Sequence, residues 1–290
     1  MNRNRLRATP ILEIVNHAPF DSEPFEVFEP AGQDGYARPL TLSVDCGGGA
    51  IKSAVCDARG HLVTESRRID VSYPFTPEDL IAMIISVRDW AAEHGAAPQR
   101  VAVGVPGMIR AGTIEYTTHY IRTAGPHTTV LPELENAWNG LNLAGALEKA
   151  LGQPVRVVND SEIHGAALIT GQGLEVALTF GTGLGSAHFL GGALQAHLEL
   201  SHGQFLADTT YDQYIGEHVR RRLGNDEWSG RVVEIVSALF PVFRWDTLYI
   251  GGGNAHNLTP EALEALTAIG PLTRVVANSV ALSGGANIWA

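Results

Sequence analysis

Apolar and polar positions along the chain fall into runs with two distinct periods. Leu40 to Asp45 (Leu-Thr-Leu-Ser-Val-Asp) is a short apolar run that enters Gly47, Gly48 and Gly49, and Ile51 to Asp57 resumes it, which predicts a glycine-turned hairpin. Arg59-Gly60 supplies the next turn and His61 to Arg67 a third strand, completing an antiparallel meander. The period then becomes helical. Leu80, Ile81, Ile84, Ile85, Val87 and Trp90 share one face, with Thr76 as N-cap, Pro77 as first helical residue, Glu78 and Asp79 at the positive end of the dipole, and Gly95 as the stop. Arg100 to Val105 reads as a strand closed by Pro106-Gly107, with Thr113 to Tyr116 as its hairpin partner. Leu143 to Leu151 is a helix ended by Gly152, and Pro154 to Val158 a strand that delivers Asn159 and Asp160 at its C-terminal end.

The order of signals then repeats. Ser161 to Thr170 reads as a helix, Glu175 to Phe180 as a strand, Gly181 to Gly185 as a glycine turn, and Ser186 to Leu190 and Ala193 to Leu200 as strands about Gly191-Gly192. Helices over Tyr211 to Leu223 and Gly230 to Phe243 lead to strand Asp246 to Ile250, which ends in Gly251, Gly252, Gly253 and Asn254. The meanders near Asp45 and Gly181 thus predict two related α/β halves. Residues 1–39, with Pro10, Pro19, Pro24, Pro30 and Pro39 among acidic residues, read as an arm in which only Ile11 to Val15 suits a strand.

Composition narrows the class. At 290 residues the chain has room for two domains of roughly 150 residues. Hydrophobic residues are 45% and charged residues 18%, against about 25% in ordinary soluble domains, so disorder and coiled coil are excluded. The net charge of -11 argues against steering toward nucleic acid or an anionic membrane, so phosphate binding has to be local. Cys46 and Cys56 form no C-x-x-C pair and read as buried small hydrophobes in a reducing compartment. Absence of an apolar leader before Pro10, and of any apolar run of about 20 residues, adds an expectation of a soluble, cytoplasmic protein.

Three glycine turns follow apolar strands: Gly47 to Gly49, Gly181-Thr182-Gly183, and Gly251 to Gly253 with Asn254. Each is either a plain tight turn or a place where backbone N–H groups approach an anion, with Thr182 and Ser186 adding hydroxyls. Gly181 to Gly185 is followed by a strand where a Rossmann site needs a helix, and no P-loop is present. Asp160, at a strand end, is placed either to accept a proton from a hydroxyl or to cap a helix, with Asn159 beside it as a hydrogen-bonding group. Glu199 and His202 offer an acceptor and a donor-acceptor to a polyhydroxyl ligand. His197 with His202 suggests a metal only weakly, since no cysteines or carboxylate pattern support zinc. Arg220, Arg221, Arg222 and Arg231 are a solvated helix face or a dock for a polyanion.

These motifs, in this order, resemble the ROK sugar kinases of the superfamily that also holds actin and the heat-shock chaperones. Leu42 to Lys52 is similar to their first phosphate motif, Val103 to Ile109 to their strand and Pro-Gly turn, and Pro154 to Asp160 to the strand bearing the catalytic aspartate. Leu178 to Ser186 is similar to the second phosphate motif, Glu199 to His202 to the sugar-contacting E-x-G-H, and Ile250 to Asn254 to the adenosine motif. Within the family the likeness is to polyphosphate glucokinases and their ATP-using relatives. Three features depart from the pattern: Gly49 replaces Thr or Ser, Ser201 replaces Gly, and His119 to Leu134 matches poorly.

The resemblance implies an α/β fold of two actin-like (ribonuclease H-like) domains with an interdomain cleft. It divides the chain into the arm 1–39, a smaller domain 40–155 and a larger domain 156–290, the segment Ala281 to Trp289 returning to the first. It implies phosphoryl transfer from ATP or polyphosphate to the 6-hydroxyl of glucose or a similar hexose, by a homodimer. Asp160 would be the base, with Asn159, Glu199 and His202 on the sugar. Gly47, Gly48, Gly49, Gly181, Thr182, Gly183, Gly251, Gly252, Gly253 and Asn254 would hold the donor, and Asp45 would hold Mg2+ through water. A non-catalytic sugar or nucleotide binder on the same fold is the alternative. A DNA-binding repressor would need a helix-turn-helix, for which residues 1–39 are too short and wrongly composed.

Overall fold

A computed structural model describes residues 11–14, 35–125, 128–276 and 278–290, with side chains described outside 11–14 and 278–280. The arm expected over 1–39 lies mostly outside the described residues; within it, Ile11–Ile14 is a strand. The described residues divide into two compact units, one holding those of 35–169, 193–199 and 279–290, the other those of 11–14, 170–192 and 200–278.

The first unit is built on a five-stranded sheet in the order Arg67–Asp70, Ala50–Cys56, Thr41–Cys46, Arg100–Val105, Val155–Asn159. The first three strands are antiparallel, and Arg100–Val105 and Val155–Asn159 then run parallel to Thr41–Cys46. Val101, Ala102, Val103 and Val105 are all buried, as expected of a central strand covered on both faces. Helix Pro77–Glu93 lays Leu80, Ile84, Val87 and Ala91 into a core shared with Leu42, Val44 and Val103. Its start is the capping box that Thr76 predicts: Thr76 Oγ1 accepts from Asp79 N–H at 3.2 Å, and the Asp79 carboxylate accepts from Thr76 N–H at 2.8 Å. Helix Leu143–Leu151 ends at Gly152, whose left-handed φ of 65° suits glycine.

The other unit repeats the plan. Leu174–Phe180 pairs antiparallel with Leu184–Leu190 and parallel with Thr247–Gly251, beyond which come Leu272–Val275 and Ile11–Ile14, both parallel. A first strand with a hairpin neighbour on one side and parallel strands on the other is the arrangement of both sheets. Its core gathers Val176, Leu178 and Phe180 with Trp228, Val232 and Ile235 of helix Asn225–Phe243.

Five local expectations are corrected. The third strand lies at Arg67–Asp70 rather than His61 to Arg67, because Asp57 and Thr64 side chains take the backbone N–H groups of Arg59, His61 and Val55 that a ladder would use. Thr113–Tyr116 pairs with Met108–Arg110 and Leu141–Asn142, since both edges of Arg100–Val105 already carry parallel strands. The strand expected over Ala193 to Leu200 is confined to Ala193–Leu194. The helix over Tyr211 to Leu223 breaks at Gly216, where a Cβ would lie 2.9 Å from the Thr182 carbonyl oxygen. The following helix begins at Asn225, so Gly230 is interior to it.

Candidate active site

In the first unit, parallel pairing sets Asp45 beside Gly104 and Gly104 beside Val158, so three strands end together. Helix Asp160–Ala166 starts at that edge. It packs so close to Gly104 that a Cβ there would stand 3.2 Å from Asp160 Cα and 3.3 Å from Ile163. Asn159, not Asp160, is the N-cap: its Oδ1 accepts from Ser161 N–H at 2.8 Å, and Glu162 returns the bond by accepting from Asn159 N–H at 2.8 Å. Asn159 Nδ2 donates to the Gly107 carbonyl at 2.9 Å, so the side chain fixes the helix entry at both ends. Asp160 is the first helical residue and not the cap, although its Oδ1 also accepts from Ser161 N–H, at 3.0 Å.

Its environment disfavours charge. Burial, then the negative charge of Asp45, raises the Asp160 carboxyl to about 6, with the opposing pull of His164 reducing the rise. His164 Nε2 lies 3.2 Å from Asp45 Oδ2, one helical turn beyond Asp160. Burial works against its protonation, but the charge of Asp45 prevails and raises its pKa. Among the described residues no group of three or more His, Cys, Asp or Glu forms a complete metal cage. A magnesium ion needs none: one or two carboxylates, water and donor phosphates suffice, so Asp45 fits that role.

Glu199 belongs to the same unit and stands on irregular backbone before the short 3-10 turn Leu200–His202. Its neighbour Tyr116 has its phenol pushed up to about 12 by burial and then by the Glu199 charge. His197 Nε2 lies 3.4 Å from Glu199 Oε2, and His197 Nδ1 lies 3.3 Å from Glu162 Oε1. His202 falls in the other unit.

The first glycine turn is anchored by its carbonyls. Tyr120 Oη donates to the Gly47 oxygen at 3.1 Å and Tyr73 Oη to the Gly48 oxygen at 2.7 Å. Carbonyls repel an anion, so tying them into the protein suits a turn that meets one, although the Gly47 N–H is itself spent on the Ala50 oxygen at 2.9 Å. At Gly49 a Cβ would meet nothing within 4 Å, so the missing hydroxyl reflects the sequence and not a steric demand.

In the other unit, Thr179 pairs with Gly251, so the second and third glycine turns leave adjacent parallel strands. Asn254 joins them: its N–H donates to the Phe180 oxygen at 2.8 Å and its Nδ2 to the Gly181 oxygen at 3.1 Å. Gly252, at φ 88°, has no room for a Cβ, which would lie 2.5 Å from Phe180 N. Asp212 Oδ1 accepts from Leu184 N–H at 2.8 Å and fills the space beside Gly183. Arg220 and Arg221 both hydrogen-bond Glu217, at 2.8 and 2.7 Å, and Arg231 pairs with Glu227 at 3.1 Å. The Arg220 bond, followed by that of Arg221, outweighs burial and draws the Glu217 carboxyl down to about 2. Much of the arginine cluster is thus compensated.

Glu162, His164, Tyr116, Tyr73, Tyr120 and Asp212 are parts of these clusters that the sequence reading did not single out. One signal was present, since Asn159-x-x-Glu162 is a capping box by spacing alone.

A family model described as ROK family matches residues 41–204. A polyphosphate glucokinase of Mycobacterium tuberculosis (strain ATCC 25618 / H37Rv) is 27% identical over 227 residues, 73% of this chain and 76% of that protein. The structure of an inorganic polyphosphate/ATP-glucomannokinase from Arthrobacter sp. strain KM superposes with a TM-score of 0.67 at 24% identity, over 87% of this chain and 98% of that one. A ROK family glucokinase from Streptomyces griseus, in complex with glucose and AMPPNP, gives a TM-score of 0.63 at 18% identity, over 86% and 97%. The last two likenesses bear on the fold, which is the actin-like, ribonuclease H-like one.

Proposed function

The chain belongs to the ROK family, and on that premise we propose that it is a hexokinase- or glucokinase-type phosphotransferase, acting in the cytoplasm as a homodimer. Its substrates are ATP or polyphosphate as donor and the 6-hydroxyl of glucose or a similar hexose as acceptor. The observation that carries this reading is Asp160: a carboxylate half-buried at a sheet edge beside Asp45, at the start of a helix that Asn159 caps, with its pKa raised to about 6. A base of that strength is ionised at neutral pH yet accepts a proton more readily than an exposed aspartate.

Asp160 takes the proton of the attacking hydroxyl. Glu199 and His202 hold the sugar, and Asn159 contributes by fixing the strand-to-helix corner from which Asp160 projects. Gly47 to Gly49, Gly181 to Gly183 and Thr182 hold the donor phosphates, and Gly251 to Gly253 with Asn254 the nucleoside of ATP. Bound at Asp45 through water, Mg2+ would neutralise charge on those phosphates. Because phosphoryl transfer passes through a loose transition state, the protein's contribution is mostly positioning and charge stabilisation.

The test is sugar-phosphate formation by the purified protein with Mg2+ and a panel of hexoses, in parallel with ATP and with polyphosphate. Product from glucose is expected, and the faster donor identifies the branch. No product with any pair, from a protein that still binds hexose, would leave a non-catalytic binder on a kinase fold.

A further inference from the structure

His197 is 6% exposed and lies between two carboxylates that have different tasks. Glu162, 3% exposed, closes the capping box of the helix whose first residue is Asp160. Glu199 is the acid assigned above to the sugar. Nδ1 of His197 faces Glu162 Oε1 at 3.3 Å and Nε2 faces Glu199 Oε2 at 3.4 Å. Two carboxylates that converge on one buried ring favour its protonated form, because a cation between them offsets their mutual repulsion and part of their lost hydration.

We propose that His197 is a positioning residue of the sugar site: its imidazolium holds the Glu199 carboxylate against Glu162, so that the sugar-binding acid and the helix carrying Asp160 are set by one buried triad. The assignment rests on the reading of Glu199 given above. Glu199 follows the last residues of strand by several positions and has no ladder to orient it, which is where such a tie has most effect. The charged or titratable groups around the triad are Glu162 from the helix, Glu199 from the segment of His197 itself, Asp160 at the start of the helix, which feels the Glu199 charge, and Tyr116 from strand Thr113–Tyr116, which faces Glu199. Burial opposes protonation of His197, but the two carboxylates prevail and raise it to about 9. The triad is therefore intact at neutral pH and comes apart in alkali, when loss of the proton leaves two facing carboxylates.

The test is hexose affinity, by calorimetry, from pH about 7 to about 10 for the unmodified protein, His197→Gln and Glu199→Gln. For the unmodified protein, affinity should hold to about pH 8 and then fall about tenfold. His197→Gln should bind hexose about tenfold more weakly at pH about 7.5, with a flat pH profile and a donor KM within about twofold of the parent. A folded His197→Gln protein with parental affinity and the parental pH profile would overturn the proposal. If Glu199→Gln weakens binding while His197→Gln does not, only the positioning role falls. Should neither change affinity, the sugar site itself is misassigned. Should His197→Gln fail to fold, a flat profile in the unmodified protein overturns the proposal and an alkaline fall supports it.

Discussion

Asp160 sits where function and stability pull apart. Its folded pKa, about 6, lies above the ordinary aspartate value of 3.8, so between those values the native state holds a proton that the unfolded chain has lost. Stability from this group therefore falls as pH rises through that window and stays lower above it. Asp160→Asn should remove turnover, retain hexose binding, and raise unfolding free energy at neutral pH by about 1–3 kcal/mol, a gain that disappears near pH 4. Urea denaturation at the two pH values measures this, and unchanged stability at neutral pH would refute the burial argument. In the parent enzyme, kcat/KM should fall below pH about 6 as the base is protonated. Asp160 was legible because a strand end is a local feature. His197 was not, because its value comes from Glu162, a residue on another element.

At the scale of elements, the sequence predicts best where start, period and stop agree. Thr76, Pro77 and the apolar face define helix Pro77–Glu93, and Gly152 marks the end of Leu143–Leu151, whose start the structure shows capped by Asn142. It predicts less well where side chains intercept the backbone, as Asp57 does ahead of Arg67–Asp70, or where an element is short, as Leu141–Asn142 is. Gly104 shows what packing demands of a strand that local pattern does not reveal. Its absent Cβ lets helix Asp160–Ala166 approach, and a methyl group would contact backbone at 3.2 Å, which cannot rotate away. Gly104→Ala should shift Asp160 by a few tenths of an ångström from its place beside Asp45 and lower kcat by about two- to tenfold, less than the roughly 100-fold that a full ångström can cost. Steady-state kinetics with a hexose titration checks this, and a parental kcat would show that the helix yields freely.

For the molecule as a whole, charge and topology matter more than any single contact. A net charge of -11 repels an anionic donor at long range, whereas the glycine turns act only on contact. Raising monovalent salt from about 0.05 to about 0.2 M at fixed free Mg2+ should lower the KM for ATP by about twofold and leave the hexose KM unchanged. A rise instead would reveal a cationic track that outweighs the global field, despite the pairing of Arg220, Arg221 and Arg231 with Glu217 and Glu227. No helix among the described residues is long and apolar enough to cross a membrane. The sequence by itself determined the repeated hairpin, helix and strand, the glycine turns and the aspartate at a strand end, because period, turn and cap are written in neighbouring residues. Only the tertiary structure decided the neighbours of Thr113–Tyr116, the compensation of the arginines and the buried Glu162, His197 and Glu199 triad. Those depend on which distant residues share an edge or lose water together, and the strength of an ion pair follows from that shared burial.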